Sequence, residues 1–364
     1  MIEIDASIGE GGGQVVRTAL TLAACCGTPV RLFRMRERRE KPGLRAQHLA
    51  AVRAAAAICD ARVSGATVGS TELAFAPGRT RPGRYEIDVG TAGSTMLVLQ
   101  TLLPALSFCA GPSMLVLRGG THNPRAPTFE FVRDAYLPLI GRLGFRARIE
   151  LEAYGFFPRG GGLVRATIEP LVRGRVLDLL DRGRVASRCA TALCSRLPEH
   201  VARRELATLR ERLGLAEHEC RALHVGAPGA GNVLQLRVDC EHVTTVFSSF
   251  GMRGRPAEQV AAELAGEALR YLSASAAVDG RLADQLLLPM ALTAGGAFST
   301  LPVTLHTETN AAIIRRFLPV AYNAVPAGED KWLIGVGGNA GSATRISPRA
   351  DLSGSARGVA SRIS

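Results

Sequence analysis

The chain has 364 residues, of which 47% are hydrophobic, and its formal net charge at pH 7 is +12. This length exceeds the usual size of a single core and predicts two structural units. No apolar run approaches the ~20 residues of a membrane span, and residues 1–5 lack the regions of a signal peptide, so we expect a cytoplasmic protein without a membrane segment.

Arginine supplies almost all of the positive charge, because Lys41 and Lys331 are the only lysines. Residues 31–45 contain seven basic and two acidic residues, which suits a polyanion, although a solvated basic loop has the same composition. The eight cysteines show no Cys-x-x-Cys spacing, and we interpret them as small core residues rather than as zinc ligands or a disulfide framework.

The first predicted helix spans residues 14–26 and follows the glycine-rich residues 9–13. Consecutive glycines allow backbone N–H groups to approach a phosphate, and the positive end of the helix points to the same place. Gln14 and Arg17 share one face of this helix. Glu10 is the one acidic residue inside a glycine motif, which fits either a ligand for a divalent ion or a partner for the helix dipole.

Helices and short β-rich segments then alternate along the chain. We predict helices over 42–59, 94–108 and 129–143, the last kinked by Pro138, and strands over 85–89, 114–117, 146–151 and 163–168. Glycine-flanked helix and strand pairs recur without strict sequence repetition. This pattern predicts a layered α/β fold, with a main body built from similar α/β units.

The character of the chain changes from about residue 183. A strand over 185–197, a helix over 199–213, a strand pair within 232–250 and a helix ending near Tyr271 have few glycine motifs. We therefore predict a smaller α/β domain, residues 183–275, inserted into a body formed by residues 1–182 and 276–338. Residues 339–364 are rich in Gly, Ser, Ala and Arg and are predicted to be a flexible basic tail.

His306 is the candidate nucleophile. We predict it at the end of an apolar strand and just before an amphipathic helix, where the helix N-terminus disfavours imidazolium and Glu308 acts in the opposite sense. A neutral imidazole can act as a nucleophile, although a lone histidine is more often a structural hydrogen-bonding group. Neither lysine lies in the Lys-x-Asp-Gly motif of nucleotidyl transferases that use lysine, which favours histidine over lysine as the candidate nucleophile.

Several polar residues could bind phosphate or a nucleotide. Arg17, Arg36, Arg39 and Arg45 can supply forked donors, and His48 follows Arg45 at a spacing that lets both face one ligand. Gln100 is an amide inside an apolar helix and fits either a core hydrogen bond or a ligand contact. Asp284 and Gln285 precede a run of leucines and fit either a solvated helix start or a ligand site.

Six motifs occur in the order found in RNA 3′-terminal phosphate cyclases. They are Glu-Gly-Gly-Gly-Gln-Val-Val-Arg (10–17), Lys-Pro-Gly-Leu-Arg-Ala-Gln-His (41–48), Gly-Thr-Ala-Gly-Ser (90–94), Gly-Phe-Phe-Pro-Arg-Gly-Gly-Gly (155–162), Ala-Asp-Gln-Leu-Leu-Leu-Pro (283–289) and His306. The chain resembles this family up to about residue 338. The resemblance implies three similar α/β units with one insert, and an enzyme that uses ATP to convert an RNA 3′-phosphate to a 2′,3′-cyclic phosphate through AMP held on histidine.

The resemblance also implies roles for single residues. His306 would carry AMP, Arg17 and Arg39 would bind the ATP phosphates, and Glu10 would hold Mg²⁺ or Mn²⁺. The remaining nucleotide-binding candidates are Gln100, Pro127 against the adenine ring, Asp284 and Gln285. Gln14, Arg36, Arg45, Gln47 and His48 are assigned to the substrate phosphate or the RNA.

One position departs from the family pattern. Arg281 stands three positions before Asp284, where the cyclases carry an aromatic residue, so adenine selectivity rests on whether a guanidinium can stack on the base. The alternative to a cyclase is a cyclase-like ribosome-biogenesis protein without catalysis, which would lack the histidine and the phosphate-binding arginines. An enolpyruvyl transferase also has repeated α/β units, but that alternative does not explain His306 or the six motifs.

Overall fold

Four four-stranded sheets organise the computed structural model, which describes residues 1–9 and 12–337. The helices are α1 Gly13–Cys26, α2 Ala46–Cys59, α3 Thr95–Ser107, α4 Leu137–Arg142, α5 Glu199–Leu213, α6 Ala257–Ser273, α7 Gly280–Leu292 and α8 Leu305–Phe317. The strands are β1 Ile2–Asp5, β2 Val30–Phe33, β3 Arg62–Ser64, β4 Leu73–Ala76, β5 Arg84–Asp88, β6 Ser113–Gly119, β7 Arg146–Ala153, β8 Gly162–Glu169, β9 Leu177–Leu179, β10 Val185–Ser195, β11 Cys220–His224, β12 Gly231–Cys240, β13 Thr244–Phe250, β14 Gly295–Thr300, β15 Tyr322–Gly328 and β16 Lys331–Gly337. A π-helical segment precedes α4 and a short 3-10 helix precedes β11.

Three of the sheets share one topology. Their strand orders are β1-β2-β4-β3, β5-β6-β8-β7 and β9-β14-β16-β15, and in each the first two strands are parallel and the other pairs antiparallel. One helix connects the two parallel strands (α1, α3 and α7) and another follows them (α2, α4 and α8). The predicted α/β fold with three similar units is therefore confirmed.

The fourth sheet interrupts the third unit. Its strands, in the order β11-β10-β12-β13, and the helices α5 and α6 all lie between β9 and α7 along the chain. Its buried residues form a separate hydrophobic core that extends from Ala190 to Tyr271, apart from the large core of the three units. We propose residues 183–275 as the bounds of this inserted domain.

The structure corrects three local predictions. Helix α2 begins at Ala46 rather than at residue 42, because Gly43 has φ +74° and packs against the backbone of Gly69, where a Cβ would overlap the carbonyl oxygen. The helix predicted over 129–143 contains a π-helical segment, Phe131–Tyr136, before Pro138 in the first turn of α4. Pro138, which has no N–H to donate, lies just after the end of the π-helical segment.

The third correction concerns His306. The apolar residues before it do not form a strand: β14 ends at Thr300, and Leu301 and Pro302 line a cavity instead. His306 lies inside the first turn of α8, which is capped by Thr304.

Glu205 generates a stability prediction. It is fully buried on α5, where Asn232 Nδ2 donates to its Oε2 at 2.9 Å, while Oε1 meets no donor among the described residues. Burial raises the pKa of Glu205 to about 7. The native state therefore holds a proton that the unfolded chain releases near pH 4.5, and stability falls as pH rises through 7.

We expect Glu205→Gln to remove this pH dependence, because a neutral amide can still accept from Asn232. Between pH 5 and pH 8 the unmodified protein should lose about 2 kcal/mol more unfolding free energy than the variant. Urea unfolding at the two pH values measures the difference, with the exposed Glu199→Gln as control. Equal losses in all three proteins would contradict the assignment.

Candidate active site

His306 occupies the start of α8 with a defined ring orientation. The Thr304 hydroxyl accepts from the backbone N–H of Thr307 at 3.2 Å and caps the helix. The Nδ1 atom of His306 lies 2.9 Å from Oε1 of Gln14, which is in the first turn of α1. An amide oxygen can only accept, so Nδ1 carries the proton and Nε2 keeps its lone pair.

The orientation of Gln14 is fixed by a carboxylate. Its Nε2 donates to Oδ2 of Asp284 on α7 at 3.5 Å, which turns Oε1 toward His306. Asn310 Nδ2 in turn donates to the backbone oxygen of Asp284 at 2.7 Å, and the Thr18 hydroxyl donates to Asn310 Oδ1 at 2.8 Å. Side chains from α1, α7 and α8 therefore hold the imidazole in one orientation.

The glycine-rich loop before α1 lies against these helices. Gly9 has φ +57° and packs on Thr309 so closely that a Cβ would overlap its hydroxyl. A Cβ on Gly13 would overlap the imidazole of His48 and lie 3.0 Å from Nη1 of Arg17. Only glycine allows the loop to come this near. Glu10, the predicted metal ligand, lies outside the described residues.

Four arginines and one histidine form what we term the cationic cluster. Its members are Arg17, Arg36, Arg39, Arg45 and His48. Arg39 lies beside the glycine-rich loop, because a Cβ on Gly12 would be 3.6 Å from its Nη2. Burial, together with the charges of Arg39 and Arg45, lowers the pKa of Arg36. Burial lowers the pKa of Arg17 to about 10, with Asp284 acting in the opposite direction. The mutual repulsion indicates a site that favours a bound anion.

His48 adds a hydrogen-bond donor to this cluster without adding a charge. The side chain is buried, and its Nδ1 accepts from the backbone N–H of Arg45 at 3.1 Å, which leaves the proton on Nε2 beside the glycine loop. Burial and then the charges of Arg17, Arg36 and Arg45 lower the pKa of His48 to about 3. His48 is therefore neutral at physiological pH.

A cavity of about 420 Å³ opens beside His306 and Asp284, a volume within the usual range of ligand pockets. Phe247, Leu301 and Pro302 supply apolar walls. Arg281, the residue that departs from the family pattern, also lines the cavity, and its Nη2 is paired with Glu267 at 2.7 Å.

The structure also places the remaining predicted residues. Gln100 Nε2 donates to Gln285 Oε1 at 2.5 Å and joins α3 to α7, but neither residue lines the cavity. Pro127, in the loop after β6, does not line it either. Gln47 contacts the motif of residues 90–94, because a Cβ on Gly93 would lie 2.8 Å from its Cβ. The nucleotide contacts of Gln100, Gln285 and Pro127 stay predictions.

Sequence reasoning missed the residues that support the site. Thr18 follows Gln14, and Asn310 follows His306, each by four positions on a helix. That spacing places each pair on one face and could have identified both.

Among residues 1–9 and 12–337, no group of three His, Cys, Asp or Glu side chains is arranged to hold a metal ion. Within the same residues, no helix has the length and hydropathy that a bilayer crossing requires.

A family model and the sequences of related proteins match this chain and agree on one family. A family model described as RNA 3'-terminal phosphate cyclase matches residues 8–324. The chain is 49% identical to the RNA 3'-terminal phosphate cyclase of Koribacter versatilis over 323 residues, which cover 88% of this chain and 91% of that protein. It is 46% identical over 329 residues to the Salmonella agona protein of the same name, covering 90% and 95% of the two chains, and 49% identical over 321 residues to that of Ralstonia nicotianae, covering 88% and 92%.

The chain also has a distant likeness to solved structures of other proteins. The enolpyruvyl transferase NikO from Streptomyces tendae matches at 12% identity with a TM-score of 0.35, a likeness too weak to inform function. The match covers 92% of this chain but only about half, 47%, of that one.

His48 gives a testable pH dependence. The unfolded chain protonates this histidine near pH 6.5, whereas the native state does so only near pH 3, so native stability falls as pH drops below 6.5. We expect His48→Gln, whose amide oxygen can still accept from Arg45, to lose about 2 kcal/mol less unfolding free energy between pH 7 and pH 5 than the unmodified protein. Urea unfolding checks this, with the exposed His200→Gln as control. A loss as large in His48→Gln as in the other two proteins would show that His48 titrates normally.

Proposed function

The chain belongs to the RNA 3'-terminal phosphate cyclase family, and we propose that it uses ATP to convert an RNA 3′-terminal phosphate into a 2′,3′-cyclic phosphate. The observation that carries this proposal is the hydrogen bond from His306 Nδ1 to Gln14, which leaves Nε2 as a nucleophile. This imidazole lies beside a cavity of suitable size for a nucleotide, and the glycine loop before Gln14 meets the cationic cluster. A cyclase-like protein without catalysis would have no need of this arrangement.

In the proposed first step, Nε2 of His306 attacks the α-phosphorus of ATP. The new P–N bond forms as the bond to the pyrophosphate oxygen breaks, and the proton stays on Nδ1, which continues to donate to Oε1 of Gln14. The positive charge that develops on the imidazole is stabilised by the Gln14 amide oxygen and, behind it, by the carboxylate of Asp284. Gln14 and Asp284 thus orient the imidazole, as a further side chain commonly orients the base beside an enzyme nucleophile.

The cationic cluster would hold the phosphates. Arginine forks bind phosphate oxygens bidentately, and the glycine loop allows its backbone N–H groups to approach the same anion. Arg17, which is half-buried beside the loop, and Arg39 are proposed for the ATP phosphates. Arg36, Arg45 and His48 are proposed for the RNA 3′-phosphate.

The second and third steps transfer AMP and close the ring. An oxygen of the RNA 3′-phosphate attacks the phosphorus of the histidine adduct and releases His306, which gives an RNA adenylate. The adjacent 2′-hydroxyl then attacks the RNA phosphorus, loses its proton and expels AMP. This last step is intramolecular, so proximity supplies much of its rate.

A divalent ion at the ATP phosphates would be part of the proposed reaction. Such an ion would neutralise phosphate charge, and carboxylate or amide oxygens suit it as ligands. The proposed ligand Glu10 lies outside the described residues, and the amide oxygen of Gln100 is the second candidate.

The nucleophile can be tested by labelling. Incubation with ATP labelled at the α-phosphate should give a covalent protein–AMP adduct, acid-labile and stable to hydroxylamine as a phosphoramidate is. His306→Ala should abolish the label, whereas His200→Ala, on the exposed surface of α5, should keep it. Denaturing electrophoresis measures both, and undiminished labelling of His306→Ala would exclude His306 as the carrier.

The order of steps can be tested with a modified substrate. An RNA with a 3′-phosphate and a 2′-deoxy terminal sugar has no nucleophile for ring closure, so it should accumulate as the 3′-adenylylated species. Gel mobility and mass spectrometry detect that species. If it does not form while ordinary 3′-phosphate RNA is cyclised, the route does not pass through an RNA adenylate.

A further inference from the structure

Phe157 is unusual among the aromatic residues of this chain. The sequence has twelve phenylalanines, five tyrosines and one tryptophan, all within the described residues, and Phe157 alone among them is exposed, at 63%. A single exposed apolar side chain is ordinary on a protein surface. What matters here is how the segment that carries Phe157 is held and what lies next to it.

Phe157 belongs to a tightly packed loop, residues 155–162. The N–H of Gly160 donates to the oxygen of Phe156 at 2.7 Å, and Gly155 accepts from the backbone N–H groups of Thr121 and His122 at 2.8 and 3.1 Å. Phe156 is buried, with its ring 5.4 Å from that of His122. The loop therefore presents Phe157 on a fixed base, and a ligand that stacks on it pays little ordering entropy.

The base of the loop joins the body and the insert. His122 Nε2 lies 2.8 Å from Glu130 Oε2, and Gln235 on β12 donates to the same oxygen at 3.0 Å. Burial would raise the pKa of Glu130, but the charge of His122 and the hydrogen bonds with His122 and Gln235 lower it to about 2, so this carboxylate stays ionised. On the other side, Gly161 packs on Pro228 of the insert.

The loop is also close to the cationic cluster. A Cβ on Gly160 would lie 3.0 Å from the Cα of Ala92, and Gly93, next in sequence, packs on Gln47. Gln47 adjoins His48 in the first turn of α2. Two packing contacts thus separate the loop of Phe157 from the proposed phosphate site, and the exposed Arg159 adds a positive charge to the loop itself.

We propose that Phe157 stacks against a base near the 3′ end of the RNA substrate, with Arg159 contacting the adjacent backbone phosphate. The inference rests on the proposed function, because it requires a 3′-phosphate bound at the cationic cluster. A single-stranded 3′ end has unpaired bases, and stacking on an aromatic ring accepts every base because each has a π face. The pairing of a stacking ring with a phosphate-binding arginine suits RNA without strong sequence preference.

The test separates RNA binding from nucleotide chemistry. Phe157→Ala should raise the KM for a short 3′-phosphate RNA about tenfold, within the range for the loss of one base–aromatic stack. Histidine adenylylation by ATP should be unchanged, and Phe157→Trp should retain the KM of the unmodified protein. Val172→Ala, which truncates an apolar side chain that is 84% exposed, is the matched control. Thermal unfolding confirms that each variant is folded.

Abasic RNAs decide whether the effect is stacking. Three RNAs are used, which lack the base at the last, the second-to-last or the third-to-last nucleotide of the 3′ end. The KM of each is measured for the unmodified protein and for Phe157→Ala. At one of these positions the difference in KM should disappear, because the stack is already lost. An unchanged KM for Phe157→Ala, or a difference that persists with all three abasic RNAs, would overturn the proposal.

A direct binding measurement keeps this test independent of catalysis. If the unmodified protein forms no AMP adduct, the proposed function fails. Fluorescence anisotropy with the same RNAs then still reports whether Phe157→Ala weakens binding. If the two proteins bind these RNAs with equal affinity, the stacking role of Phe157 is wrong, whatever the outcome for the proposed function.

Discussion

The hydrogen bond between His306 and Gln14 is the contact on which the site depends. The two residues are 292 positions apart, one at the start of α8 in the third unit and the other at the start of α1 in the first. Their approach requires α1 to pack on α8, and the buried Thr18–Asn310 hydrogen bond lies in that same contact. The candidate nucleophile is therefore positioned by packing between two units of one topology, and neither unit contains the whole candidate site.

The cationic cluster adds a second constraint. Guanidinium groups that lie close together repel one another, and the charges of Arg39 and Arg45 add to burial in lowering the pKa of Arg36. A fifth charge would add to that repulsion, and the neutral state of His48 avoids it while keeping an N–H beside the glycine loop. The histidine thus supplies a donor at a smaller electrostatic cost than a lysine or arginine would. A bound polyphosphate would offset the remaining repulsion.

Local signals in the sequence predicted much of the fold, and distant contacts explain what they missed. Helix α5 has the predicted bounds because Pro198 precedes it and Gly214, at φ +59°, ends it. Strands of three residues, such as β3 and β9, are too short to show a period of two. The apolar residues before His306 suggested a strand, but none of residues 301–305 is fully buried, and Leu301 and Pro302 line the cavity instead. Motif resemblance identified His306 and Gln14, whereas their hydrogen bond depends on packing that no local pattern encodes.

A whole domain is inserted between β9 and α7, and these two elements must nevertheless come together in the third unit. Arg182, just after β9, donates to the backbone oxygens of Tyr271 at 2.6 Å, Leu272 at 2.8 Å and Ala276 at 3.2 Å. Its guanidinium also lies 4.7 Å from the centre of the Tyr271 ring. One side chain thereby joins the chain where it leaves the third unit to the chain where it returns. The carbonyls at the end of α6 gain a cationic partner, which suits the negative end of a helix. With its two ends held together, the insert replaces a short connection, and α7 can place Asp284 beside Gln14 as it would in an uninterrupted unit.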